Sequence, residues 1–204
     1  DRLPELTALA SESVTFQNTH SPTPSTMTTF ASIFTGRYYS QLYWVQAKSG
    51  KYKDTYGLQE DESPTVPELL AKGGVRTVQV VGVAGLSKDS AGLRGFQEEI
   101  KSRQFYEPVQ PHMDLVLQRL EKQGPGPLFL YTHFIEPHAP YDRAGTEGTD
   151  FERYLGEVAR VDAELGRLRR FLAERGLAGR TTLIVSADHG EAFGEHKLGG
   201  EPLY

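Results

Sequence analysis

Three apolar runs constrain this chain more than any other feature. Residues 75–83, 128–134 and 181–187 are rich in Val, Leu, Ile, Phe and Thr, and each follows an amphipathic stretch. Strands that are apolar on both faces need cover on both faces, and a helix before each strand supplies it. Such alternation predicts an α/β fold with a mostly parallel sheet between helical layers. At 204 residues the chain is long enough for one domain and short for two.

The helical stretches have recognisable ends. Leu3, Leu6, Leu9 and Ala10 place a short helix over 3–10, and Val14 to Phe16 is β-prone. After a Pro/Thr/Ser loop, Ser25 or Thr26 starts a second helix that Gly36 stops. Residues 37–62, rich in Tyr, Gly, Lys and Gln, read as a surface excursion. Further helices are expected over 63–72 and 111–123, the latter ended by Gly124-Pro125-Gly126-Pro127. The longest runs over 151–175, where Tyr154, Leu155, Val158, Val161, Leu165, Leu168 and Leu172 keep helical spacing.

Four segments carry chemistry. The run 181–187 leads into Asp188-His189-Gly190-Glu191, with Glu195-His196 just beyond. A carboxylate and an imidazole at the carboxyl end of a strand occupy the place where open α/β sheets bind ligands, and together they suit a divalent cation. A solvated turn is the plain alternative. The second segment, Thr132-His133-Phe134-Ile135-Glu136-Pro137-His138-Ala139-Pro140-Tyr141, follows the 128–134 run and carries two histidines in a proline-stiffened loop able to hold an imidazole against an anion, or simply a stiff turn with exposed histidines. Thr26 at a helix start faces unpaired N–H groups and the positive end of the dipole, which favours an alkoxide and attracts phosphate or sulfate; an ordinary cap is the other reading. Tyr38, Tyr39, Tyr43 and Trp44 cluster as core, interface or sugar-binding aromatics.

Composition narrows the partners. Net charge is -5 and no basic patch is present, so nucleic acid is not an expected partner. No apolar run reaches the length of a membrane span. With no cysteine, disulfides, thiol catalysis and thiolate metal sites are excluded within this chain.

Taken in order, these segments resemble the sulfatase family of the alkaline phosphatase superfamily, over nearly the whole chain. Residues 31–38 are similar to the family's "ASLLTGRY" segment, 66–77 to its "LAELLKEAGYRT" helix-to-strand step, and 137–141 to its "PHxPY" loop. Residues 156–162 and 187–191 resemble its late helix and metal strand. The resemblance implies an α/β/α sandwich of the alkaline phosphatase and sulfatase type. It also implies that 1–204 form one domain, the central part of a longer protein, with a metal-binding strand before residue 1 and a further part after residue 204.

The same resemblance implies the chemistry. The family's nucleophile stands ten residues before the Gly of "LTG", which here is Thr26. Thr28 replaces the Pro and Phe30 the Arg of the formylglycine pattern, and a threonine does not mature to formylglycine by the usual route. Relatives that are phosphodiesterases or phosphoethanolamine transferases use an unmodified Thr. Val83 and Glu201 fall where sulfate-gripping lysines are expected. The implied activity is therefore metal-dependent hydrolysis or transfer of phosphate or sulfate esters by a Thr26 nucleophile. Asp188, His189 and Thr26 are the implied metal ligands, and His138 and His196 the substrate-binding groups, with His138 also assisting the leaving oxygen. Glu191 and Asp162 are expected to be structural. The metal is calcium if the protein is sulfatase-like, zinc or manganese if phosphodiesterase-like. The substrate is a small molecule, glycan or lipid-headgroup ester, in a bacterial periplasmic, secreted or membrane-anchored setting. A sulfate-ester hydrolase without formylglycine and a catalytically inactive binding module are the alternatives.

Overall fold

The computed structural model describes residues 2–46, 56–58, 61–82, 86, 94–101, 106–195, 197–198 and 201–202. The element order is α1 (Pro4–Ser11), α2 (Thr26–Thr35), β1 (Val45–Gln46), β2 (Tyr56–Gly57), α3 (Val66–Lys72), β3 (Arg76–Val81), β4 (Glu98–Lys101), α4 (Val109–Glu121), β5 (Leu128–His133), α5 (Asp150–Glu174), β6 (Lys197–Leu198) and β7 (Glu201–Pro202). The central sheet is parallel, in the order β4-β3-β5.

Period-two alternation divides the core into two halves. Val81 and partly buried Phe129 and Tyr131 face Phe30 and Phe34 of α2, with Leu86 and Phe96 closing that layer. Val78, Val80, Leu128 and Leu130 face the other way, onto Met113 and Val116 of α4 and Leu168 and Leu172 of α5. Helices therefore cover both faces, as the expected α/β architecture requires. Among the described residues, no helix is long and apolar enough to cross a membrane.

The helix ends follow local chemistry. Ser25 is the N-cap of α2, and Gly36 closes it in the left-handed region at φ 66°. Capping boxes start two others: Thr65 with Glu68 on α3, and Thr149 with Glu152 on α5. Helix α3 begins three residues later than the expected 63, because Thr65 rather than Ser63 takes the cap.

Two expectations fail for one reason. Residues 181–187 form no strand, and Ile184 is 83% exposed. Val14 and Phe16 likewise lie in irregular chain, with Phe16 79% exposed. β-Branched composition makes a strand only when a ladder partner stands beside it. Among the described residues, β5 ends the sheet and nothing pairs with its outer edge. Only Leu183 of the 181–187 run packs onto the layer made by α4 and α5. The aromatic group at 38–44 divides: Tyr38, Tyr39 and Tyr43 are exposed, whereas Trp44 packs against buried Ala31, Leu42 and Leu58, and a 3-10 turn spans Tyr39–Gln41.

Asp162 ties helix α5 to helix α1. It is 2% exposed on α5, and its carboxylate accepts the backbone N–H groups of Glu5 at 3.1 Å and Leu6 at 2.7 Å. These are orphan donors of the first turn of α1, whose own N-cap, Leu3, has no side-chain bond to offer. The structural role expected of Asp162 is thus a remote helix cap. Asp162→Ala should destabilise the chain by about 2 kcal/mol in denaturant unfolding, and Asp162→Asn by less.

His112 of α4 is fully buried, with Nε2 2.7 Å from Thr132 Oγ1 and its ring edge-on to Phe134. Burial pushes its imidazole down to about 4; the nearby His133 adds to this and Glu107 opposes it. The unfolded chain takes up this proton near the ordinary value of 6.5, the folded chain only near 4. Stability from this group is thus complete above about 6.5 and is lost as pH falls towards 4. Thermal melts from pH 7 to 4 should show a shallower decline for His112→Gln than for the wild type.

Candidate active site

The start of α2, the 134–141 loop after β5 and the 188–192 turn meet at one end of the sheet. Thr26 is the first residue of α2, and its Oγ1 lies 3.2 Å from His189 Nε2. The same nitrogen is 3.4 Å from Asp188 Oδ2. The other ring nitrogen of His189, Nδ1, is 2.7 Å from the Gly190 carbonyl oxygen. A carbonyl can only accept, so Nδ1 carries the hydrogen, and Nε2 of the neutral ring presents a lone pair. Beside these groups opens a cleft of about 250 Å³ lined by Pro24, His189, Gly190, Glu191 and Ala192.

This geometry bears on a cation. Three electron-rich atoms converge: a hydroxyl oxygen, an imidazole lone pair and a carboxylate oxygen. Asp188 Oδ2 is buried and has no hydrogen-bond donor. The Thr26 hydroxyl can donate to the Nε2 lone pair, which leaves Asp188 Oδ2 without a donor; a second ring proton or a metal ion would satisfy it, and the mix of oxygen and nitrogen donors suits a metal ion. Among the described residues, no three His, Asp or Glu side chains are grouped to hold a metal. The fit is therefore a partial ligand set, two such side chains plus the Thr26 hydroxyl.

A hydroxyl network fixes Asp188 to α2. Ser21 Oγ donates to the Asp188 carbonyl at 2.6 Å and lies 3.3 Å from Thr29 Oγ1. Thr29 in turn donates to the Thr23 carbonyl at 3.2 Å and is buried one turn into α2. The Pro/Thr/Ser loop thus links α2 and the 188–192 turn, a task not visible in its composition.

His138 stands apart from the three convergent groups. It is exposed, with Nδ1 2.9 Å from the Ala139 carbonyl oxygen and its ring stacked on Tyr106 at 5.8 Å. No direct contact joins it to Thr26. Its loop is held by α4 and α5: Glu136 of the loop accepts from Val109 N of α4 at 3.1 Å and pairs with Arg160 of α5 at 3.0 Å, while Glu157 of α5 accepts from Arg143 N at 3.0 Å. His196 and Val83 lie outside the described residues. Phe30, where the resemblance expects an Arg, is buried against Tyr131 and His133, so that position offers no cation to an anionic substrate.

The decisive comparison is at the level of the family: a model of the sulfatase family matches residues 1–203. The chain belongs to the sulfatase family. No protein of curated function matches it in sequence. Solved structures share its fold. Ps i-CgsB, solved with k-i-k-neocarrahexaose, superposes with a TM-score of 0.64 at 17% identity, covering 86% of this chain and 50% of that one. The phosphonate monoester hydrolase of Agrobacterium radiobacter gives 0.59 at 15% identity, covering 86% and 55%. This sulfatase-family chain thus spans about half the length of the structures it matches.

Two residues near the site were given no role by the sequence. Tyr131 and His133 alternate onto the α2 face of β5, and the charge of Asp188 acts on both. Burial pushes the Tyr131 hydroxyl up, and Asp188 adds to it. Strand alternation leading into the 134–141 loop was the available signal. Glu191, expected to be structural, lines the cleft and acts on Tyr141. Burial, then a hydrogen bond to Glu191 and its charge, push the Tyr141 hydroxyl up. Tyr141 is buried at φ 57°, a costly conformation for a bulky residue, and its ring packs on Tyr154 and Phe193. Tyr141→Phe removes the bond to Glu191 and should cost about 1 kcal/mol. Backbone amides at 188–195 should then exchange faster than in wild type, while those of α5 stay unchanged.

Proposed function

We propose that the intact protein is a metal-dependent hydrolase or transferase acting on phosphate or sulfate esters, with Thr26 as nucleophile. The observation that carries this reading is the convergence of Thr26 Oγ1, His189 Nε2 and the unpartnered Asp188 Oδ2. Asp188 and His189 are the residues that would hold a divalent cation, with Thr26 beside them. Such an ion, when bound, lowers the pKa of a hydroxyl and neutralises charge developing on the ester oxygens. One imidazole nitrogen in the donor set favours zinc or manganese over calcium.

The chain's own groups supply the rest. The first turn of α2 presents unpaired N–H groups and a positive dipole end to Thr26, stabilising negative charge on its oxygen. The Gly190 carbonyl fixes the His189 ring, so its lone pair keeps its direction. In the reaction, the Thr26 hydroxyl gives up its proton to solvent, and its Oγ bonds to phosphorus or sulfur as the bond to the leaving oxygen breaks. His138 donates a proton to that oxygen or binds the anionic group. The resulting Thr26 ester is cleaved by water or passed to an acceptor hydroxyl. The substrate is a small molecule, glycan or lipid-headgroup ester, met in an extracytoplasmic setting.

Phe30 in the core and the missing lysine positions favour phosphate over sulfate. They also favour the second reading, a fold that has lost catalysis and serves as a binding module. Turnover of an aryl phosphodiester and an aryl sulfate by the full-length protein separates these readings. Thr26→Ala should abolish phosphodiester turnover, by a factor of at least about 10³, with unchanged melting. Undiminished turnover would refute the nucleophile.

A further inference from the structure

We propose that His133 is a positioning residue of this site, donating a hydrogen bond to the Asp188 carboxylate through one bridging water. The inference rests on the reading of Asp188 as a site residue and adds a group outside the sulfatase-like motifs of the sequence.

Placement comes first. His133 is the last residue of β5, paired in register with Val81 of β3, and its carbonyl accepts from Gly82 N at 3.2 Å. The backbone is thus fixed on the inner side of the strand. The ring stands edge-on to Phe30, with centroids 5.0 Å apart at 87°. Phe30 lies one helical turn after Thr26 on the same face of α2, so His133 forms the floor directly under the nucleophile.

Two buried polar atoms at this end of the sheet lack partners. His133 Nδ1 is buried without a hydrogen-bond partner, and so is Asp188 Oδ2. One is a nitrogen able to donate, the other an oxygen able only to accept. Each alone costs about 1–3 kcal/mol, and joining them removes both penalties. Asp188 is also the nearby charge that acts most strongly on the ring, ahead of His189 and His138. Burial keeps that ring neutral, with one N–H to give. Metal-ligating carboxylates are commonly held by such a donor, which leaves their remaining lone pairs directed at the ion.

The bland alternative is a histidine filling core space against Phe30. A space-filling ring has no reason to respond to Asp188, and this separates the two. In ¹⁵N-histidine-labelled chain, the His133 ring N–H should give a slowly exchanging resonance, and Asp188→Ala should speed its exchange about tenfold or more. The ring signals of His112, on the opposite face of the sheet, should not change. Unchanged His133 exchange in Asp188→Ala overturns the proposal.

A second measurement uses Mn²⁺ alone as probe. Paramagnetic broadening of the His189 ring signals should need about 10- to 100-fold more Mn²⁺ in His133→Phe, which keeps the ring packing. His133→Asn, which restores a donor near Nδ1, should recover part of the loss. Equal broadening in wild type and His133→Phe counts against the proposal even where the chain is well folded. Failure of the wild type to bind Mn²⁺ instead refutes the cation reading of Asp188 and His189, and the exchange experiment alone then decides the His133 contact.

Discussion

The parallel pairing of β3 with β5 is the constraint on which the rest depends. Its register, Arg76 opposite Leu128 through Val81 opposite His133, decides which side chains of each strand reach which layer. Shifted by one residue, Tyr131 and His133 would turn towards α4, and Leu128 and Leu130 would meet α2. Nothing would then support Phe30 or the start of α2. The position of Thr26 is thus inherited from backbone hydrogen bonds far from any chemistry. The loop after β5 inherits its place in the same way, and its own Glu136, together with Glu157 of α5, only secures what the strand has already aimed.

Long periodic elements were the most legible part of the sequence. Helix α5 was expected over 151–175 and is Asp150–Glu174, because 25 residues of apolar spacing leave little freedom in its placement. Strand β5 was equally plain. Strand β4, Glu98–Lys101, was not expected at all, since an edge strand carrying Glu, Glu and Lys has no apolar signature. The opposite error occurred at 181–187. Its composition is that of a buried strand, but composition cannot create the neighbour that a strand needs.

The candidate site was legible for a different reason. Thr26, Asp188 and His189 were recognised from order and spacing against a family pattern, and three-dimensional proximity followed from the fold. His133 lay inside a segment already marked out, yet His138 drew the attention because prolines flank it. Which of two nearby histidines faces inward is a matter of strand alternation and of what stands on the other side, here Phe30. The supporting hydroxyls of Ser21 and Thr29 were hidden for a similar reason, since their partners are backbone carbonyls and each other.

The cap that Asp162 provides to α1 has a consequence in time. The donors and the acceptor are separated by 156 and 157 positions. As the chain leaves a ribosome, the helix at its beginning appears long before the carboxylate that completes its first turn. An eight-residue helix is too short to persist alone in water. Helix α1 is thus made well before it can settle, and its docking marks the moment when α5 is in place.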